Sequence, residues 1–219
     1  MPTWSPDRKS AYVGVLNRGQ DHFKLQRYFA HNGNFDKQLF EEKSTTYVEP
    51  SQPLKFINDK EFIYLSEKDG YRHMYRYNIN GKELKGYVYN DVVFKDFVDV
   101  TEKEVYYMGT ANRGMDKLLY KVDLKSGKTQ AITQTSATYT VELNKDHSWY
   151  YAQYTNFTTP NAISLNSING KQTVELLNAP NPYEGKTQLP RVEMVTVKAA
   201  DGKTDLNGRL IYPSNFDAN

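Results

Sequence analysis

FIYLSEKDGYRHMYRYNING, residues 62–81, holds two short alternating runs, FIYLS and MYRYNI. Both have strand length and are rich in aromatic and β-branched residues. The segment between them, EKDGYRH, is polar and carries a glycine, so it reads as a connection. The second run ends on Asn80-Gly81, a pair that tight hairpins favour because glycine takes positive φ without steric cost. The stretch therefore reads as strand, connection, strand, turn. It raises one question: whether Arg72 and His73, adjacent at the connection, form a site or belong to a repeated architectural unit.

The turns answer for architecture. Asn32-Gly33, Asn80-Gly81, Ser126-Gly127 and Asn169-Gly170 each separate strand-like runs, at spacings of 48, 46 and 43 residues. A second series lies between them: Pro6-Asp7-Arg8-Lys9, Asn58-Asp59-Lys60, Thr101-Glu102-Lys103 and Lys145-Asp146-His147. Each of these opens a run, SAYVGVL, EFIYLS, EVYYMGT or SWYYAQY. A period of about 40 to 50 residues with four strand signals per unit marks propeller blades. Four units are expected, at residues 4–50, 54–100, 100–144 and 144–178. No segment keeps a 3.6-residue apolar period, so the fold class is all-β: a partial β-propeller of about four four-stranded antiparallel blades.

Composition agrees. Eighteen Tyr and ten Phe suit pleated, half-buried surfaces. Lys plus Arg number 28 against 26 for Asp plus Glu. That balance provides no electrostatic pull toward nucleic acid or a membrane surface. The chain has no cysteine, which excludes disulfides, thiolate nucleophiles and cysteine-ligated metals. No apolar run reaches the roughly 18 residues of a membrane span. MPTWSPDRKS, at the N-terminus, shows no signal-peptide core and opens inside a strand–turn pattern, as a piece of a longer protein would. No His-x-x-x-His spacing or acidic cluster suggests a metal, and no cofactor is expected.

Blade signals stop near Asn178. APNPYEGKTQLP, residues 179–190, is rich in Pro, Gly and Asn and reads as a linker. Two further strand signals follow, VEMVTVKA and GRLIYP, around an Asp201-Gly202 turn. Residues 191–219 read as the first strands of a second domain.

Several segments, in order, resemble dipeptidyl peptidase IV-type enzymes. SEKDGYRHMYRYNINGKEL resembles a blade of that family with a Ser-x-x-Asp-Gly-Tyr-x-His-Leu-Tyr pattern. YYMGTANRGMDKLLYKVDLKSGKTQAIT is similar to the next blade. YVEPSQPLKF resembles the start of the former blade in bacterial members, and YAQYTNFTTPNAISL resembles the last blade. VKAADGKTDLNGRLIYPSNFDAN resembles the join to the α/β-hydrolase domain. The family couples an eight-bladed propeller to a hydrolase and releases N-terminal dipeptides, usually with Pro or Ala second. The resemblance thus implies the second half of a propeller plus a C-terminal hairpin from the start of an α/β-hydrolase domain. The family nucleophile sits in Gly-Trp-Ser-Tyr-Gly-Gly; these 219 residues contain no such sequence and no G-x-S-x-G elbow. No catalytic residue is therefore assigned here, and the fragment is expected to be inactive alone. In the parent, the propeller would gate and shape the site, and the partners would be a peptide substrate and the hydrolase domain. Exposed blade edges are expected to invite self-association. Exported bacterial relatives imply a periplasmic or secreted parent.

Candidate site residues follow from the same resemblance. In the family, the loop matching Val48 and Glu49 reaches the substrate pocket, where some members place an aromatic and an arginine. The replacement by Val48-Glu49 changes both roles. Asp69, Gly70, Tyr71, Arg72 and His73 are read as a structural loop, with Tyr71 and Arg72 anchoring it to a neighbouring blade by stacking or a fork of donors. His73 reads as a hydrogen-bonded packing residue, and His22, His31 and His147 as surface residues. Glu41-Glu42 ends the run FDKQLFEEKS and reads as a solvated strand end. The family's amine-binding glutamate pair lies on an insertion in an earlier blade and is expected upstream of residue 1. A competing reading is a non-catalytic propeller that binds a protein or glycan.

Overall fold

The computed structural model describes residues 2–89, 92–183, 185–186, 190–213 and 216. Their regular structure is strand throughout, apart from one 3₁₀ turn. β1 (Pro2–Trp4), β2 (Ser10–Leu16), β3 (His22–Phe29) and β4 (Phe35–Lys43) form one sheet in chain order. β5 (Lys55–Asn58), β6 (Glu61–Ser66), β7 (His73–Asn78) and β8 (Glu83–Tyr87) form the second. β9 (Phe94–Val100), β10 (Glu104–Ala111), β11 (Asp116–Asp123) and β12 (Thr129–Ala131) form the third. β13 (Thr138–Leu143), β14 (Trp149–Thr155), β15 (Ala162–Ser167) and β16 (Thr173–Asn178) form the fourth, joined to the third by one parallel bridge from Lys117 to Thr138. β17 (Val192–Lys198) and β18 (Asp205–Ile211) make a separate hairpin. The four-sheet arrangement is a partial propeller.

The sheets begin earlier than the unit limits at 100 and 144. β9 pairs with β10, so the third sheet starts at Phe94, and β13 pairs with β14, so the fourth starts at Thr138. Those limits fell at the turn between the first two strands of a sheet, which is sharper in sequence than the loose connection between sheets. Residues 184 and 187–189 of the linker segment, and 214–215 and 217–219 of the tail, lie outside the described residues.

Blade packing explains FIYLS. All of β6 from Phe62 to Ser66 is buried. Phe62 and Tyr64 pack into a core with the first sheet, whereas Ile63 and Leu65 pack into the core shared with the third and fourth sheets. Alternate strand residues face opposite ways, so a strand covered on both sides must be apolar at every position. Aromatic pairs fill the first seam: Phe23 stacks on Tyr64 at 5.6 Å and Phe40 on Tyr77 at 4.7 Å.

Each seam also carries a cation. Arg27 on β3 pairs with Asp36 and donates to the Ile79 carbonyl of the second sheet at 3.0 Å. Arg76, three residues before Ile79, pairs with Glu61 and reaches the Leu124 carbonyl of the third sheet at 3.4 Å. Each arginine therefore satisfies a carbonyl just past the third strand of the next blade. Lys121 occupies the same place and pairs with Glu104 at 3.1 Å. In the fourth sheet the place is taken by Leu165, which is exposed, as is every residue of β16.

The glycine turns separate two kinds of constraint. Gly81 and Gly170 both have positive φ, 85° and 72°. A Cβ at Gly170 would meet nothing within 4 Å, but one at Gly81 would lie 2.3 Å from the Leu39 carbonyl oxygen of the first sheet. Gly170→Ala is expected to cost about 1–2 kcal/mol from left-handed strain alone. Gly81→Ala should cost a further amount of about 1–3 kcal/mol from forced separation of two blades. Denaturant titration of both variants checks the difference; equal losses would contradict the packing argument.

Candidate functional site

Antiparallel connectivity sorts the loops. In every sheet the turns between first and second strands and between third and fourth strands lie at one end. The loops between second and third strands, and the connections from sheet to sheet, lie at the other. Hydrogen bonds tie this second rim together: Val48 N donates to the Gln20 carbonyl at 2.6 Å, Phe94 N to Arg72 at 3.1 Å and Thr110 N to Val93 at 3.0 Å. Val48, Glu49 and the Asp69–His73 loop all sit on this rim.

At the first seam the rim encloses a cavity of about 120 Å³, lined by Glu42, Lys43, Val48, Glu49, Tyr64, Ser66, Glu67 and Lys68 among others. Val48 and Glu49 thus share one cavity. Val48 packs against the aromatic core. Arg72 lies between Glu67 at 2.9 Å and Glu49 at 3.7 Å, so its Nη2 joins the β6–β7 loop to the connection between the first two sheets. A larger hollow of about 420 Å³ runs along β15 and β16, and none of the sequence-predicted site residues lines it.

The loop is built for rigidity. Gly70 takes φ 93° and donates to the Glu67 carbonyl at 2.8 Å. Asp69 accepts from the Tyr75 hydroxyl, and burial with this carboxylate contact pushes the Tyr75 phenol far up. Tyr71 does not anchor the loop by stacking: it is 66% exposed, because the turn projects it outward while Arg72 holds the other side. His73 packs, being 3% exposed, but its Nδ1 has no hydrogen-bond partner among the described residues, against the expected hydrogen-bonded histidine.

Two other readings also change. Glu41 is a strand-end acid, paired with His22 and Lys43, and Lys43 first and then His22 hold its carboxyl down at about 2. Glu42 is half-buried rather than a solvated strand end. It pairs in register with Phe23 and lies two residues beyond Phe40, so strand alternation turns it into the seam. That period was the available signal; the adjacent Glu41 obscured it. Glu42 Oε1 and the Tyr64 hydroxyl are both buried without hydrogen-bond partners among the described residues. Burial pushes the Glu42 carboxyl above its ordinary value, with the Ser66 hydroxyl and the Lys68 charge pulling the other way. Burial, reinforced by Glu42, also drives the Tyr64 phenol far up. His147 is not a free surface residue either: it stacks on Tyr106 at 5.2 Å and meets Asp99 at 2.7 Å, tying the fourth sheet to the third.

The rim can therefore present carboxylates and an arginine around a small polar cleft. Among the described residues no group of three or more metal-ligating side chains gathers.

Glu42 makes the seam sensitive to pH. Its pKa is raised on folding, so the folded chain binds more protons than the unfolded chain between 4.5 and the raised value, and stability falls as pH rises through that window. Glu42→Gln should raise the thermal midpoint at pH 7, and the gain should vanish near pH 4, where both states carry the proton. Calorimetry across this range checks it; a destabilised variant at pH 7 would mean that the carboxylate is stabilised rather than penalised in the seam.

Comparison with known proteins accords with this fold and its order of segments. The family model for the dipeptidyl peptidase IV N-terminal region matches residues 1–161. A solved structure from Bacteroides ovatus, described as a dipeptidyl aminopeptidase IV, superposes with a TM-score of 0.89 at 30% identity, over 99% of this chain and 34% of that one. Dipeptidyl peptidase 4 from Porphyromonas gingivalis superposes with a TM-score of 0.86 at 22% identity, over 99% of this chain and 31% of that one, a likeness of fold. The chain thus spans about a third of the length of these solved proteins. With most of its length matched by that family model, and with the blades, turns and rim described above, this chain belongs to the dipeptidyl peptidase IV N-terminal region family.

Proposed function

We propose that this chain is the propeller portion of a serine exopeptidase that releases N-terminal Xaa-Pro or Xaa-Ala dipeptides. In that reading residues 1–178 are blades, 179–190 a linker and 191–219 the first strands of the hydrolase domain. The propeller wall admits peptide ends and excludes folded proteins. The observation that carries the reading is the gathering on one rim of Val48, Glu49, Arg72 and the C-terminal hairpin, whose contacts to the blades run through the β10–β11 loop on that same rim. Residues shaping a pocket and the start of a catalytic domain need to share one end of the propeller; loops split between both ends would not serve.

Glu49 and Arg72 are then pocket-edge groups. Arg72, held by two carboxylates, orients Glu49 toward incoming peptide and does no bond-making chemistry. The catalytic serine, aspartate and histidine belong to the hydrolase portion of the parent. A periplasmic or secreted parent fits the bacterial sources of the similar structures. Among the described residues no helix is long and apolar enough to cross a membrane.

The decisive experiment is hydrolysis of a Gly-Pro amide by the protein encoded by the whole reading frame, with the 219-residue chain assayed beside it. The parent should cleave and the chain alone should not. An inactive parent, or one lacking a serine elbow, overturns the reading. In an active parent, Arg72→Ala should raise KM by about 3- to 10-fold with kcat within about twofold, the pattern of lost binding common to ground and transition states. A fall in kcat alone would remove the pocket-edge role.

A further inference from the structure

The first three blades each carry an arginine in the loop between their second and third strands: Arg18, Arg72 and Arg113. Arg18 is exposed. Arg72 is held within the blades by Glu67 and Glu49. Arg113 is different: it reaches off the propeller. Its Nη2 donates to Thr196 Oγ1 at 3.0 Å, its Nη1 lies 3.7 Å from Asp205 Oδ2, and its carbonyl accepts from Asn207 Nδ2 at 3.1 Å. Among the described residues, every hydrogen bond and ion pair from β17 and β18 to the blades ends on this one residue.

The three hairpin residues form a single face. Thr196 and Asn207 are register partners, and Asp205 precedes Asn207 by two positions. Side-chain donors and backbone acceptor of Arg113 thus grip both strands of the hairpin from one side. Lys198 meets Asp205 across the same ladder at 2.5 Å and keeps that carboxylate in place.

The backbone is shaped for this grip. Asn112, Arg113 and Gly114 have φ of 48°, 55° and 88°, three left-handed residues in succession. Asparagine and glycine tolerate that region; arginine does not favour it. Such outliers persist where the surroundings over-determine them, and they cluster at clamps and switches. A left-handed Arg113 is also what presents its carbonyl and guanidinium to the same partner.

We propose that the Asn112-Arg113-Gly114 turn is a releasable clasp that sets the angle of the C-terminal hairpin on the propeller rim. Its extension to domain orientation rests on reading the hairpin as the start of the hydrolase domain. Val192, Met194, Val197, Leu206, Leu210 and Ile211 of the hairpin are exposed. A few polar contacts therefore set its angle. Exposed ion pairs are individually weak and screened by salt, so the clasp can open without unfolding a blade.

The chain has no native cysteine, which allows clean double labelling. Spin labels at Lys203→Cys on the hairpin turn and Lys145→Cys on the fourth blade report the angle by pulsed electron paramagnetic resonance. The unmodified loop should yield a narrow distance distribution. Arg113→Ala should widen it at least twofold, Asp205→Asn should widen it less, and Arg18→Ala should leave it unchanged. The thermal midpoint should stay the same in all three. An unchanged width in both Arg113→Ala and Asp205→Asn overturns the clasp, as does equal widening by Arg18→Ala. In the active parent, Arg113→Ala should change KM and kcat together. Unchanged kinetics with a widened distribution would overturn the link to domain orientation and leave the clasp standing; an inactive parent with a widened distribution would count against the peptidase reading alone.

Discussion

Burial of both faces of one sheet is the constraint on which this molecule depends. β6 sends Phe62 and Tyr64 into one core and Ile63 and Leu65 into another. Neither core closes without this strand, since the first sheet touches the second on one side and the third lies on the other. The consequence is a chain of dependence along the arc, in which each blade is stabilised by its neighbours more than by itself. Sheet faces at the end of such an arc stay open, as the exposed β16 shows.

Polar groups are placed where this stacking allows them. Arg27 and Arg76 lie between sheets, yet each has a carboxylate partner and a carbonyl on the next blade, so the seam tolerates the charge. Glu42 has no such arrangement: one carboxylate oxygen and the Tyr64 phenol, which line the same cleft, are both without partners among the described residues. A buried polar pair of this kind is costly for folding alone. It lines the same cleft as Glu49, at the rim end of the seam.

Much of this was legible in residue order. The turns Asn32-Gly33, Asn80-Gly81, Ser126-Gly127 and Asn169-Gly170 all carry the positive φ that glycine was expected to supply. FIYLS was legible as a strand, but its burial on both faces became visible only once sheets were packed on either side of it. Sheet limits were less legible: β9 is exposed at several positions and its pattern is mixed, and β13, although it alternates, precedes the sharp turn that marked the unit limit. The rim cleft was legible only in part. Val48 and Glu49, which line it, were singled out through a resemblance, whereas Glu42 was passed over because two adjacent acids look alike in sequence although strand geometry points them to opposite sides.

Sequence by itself determined the strand-and-turn repeat, since glycine conformation and the two-residue alternation of a strand are local properties that need no distant partner. It determined nothing about which loops meet. That Arg72 reaches Glu49 and that Glu42 and Tyr64 line one cleft were decided by stacking sheets side by side, and that Arg113 meets the hairpin was decided by where the third sheet puts its β10–β11 loop. Tertiary structure brings together residues as far as 94 positions apart, as Arg113 and Asn207 are. The reason is physical: the angle between two blades is the sum of many side-chain contacts, and no single segment of the chain contains both surfaces.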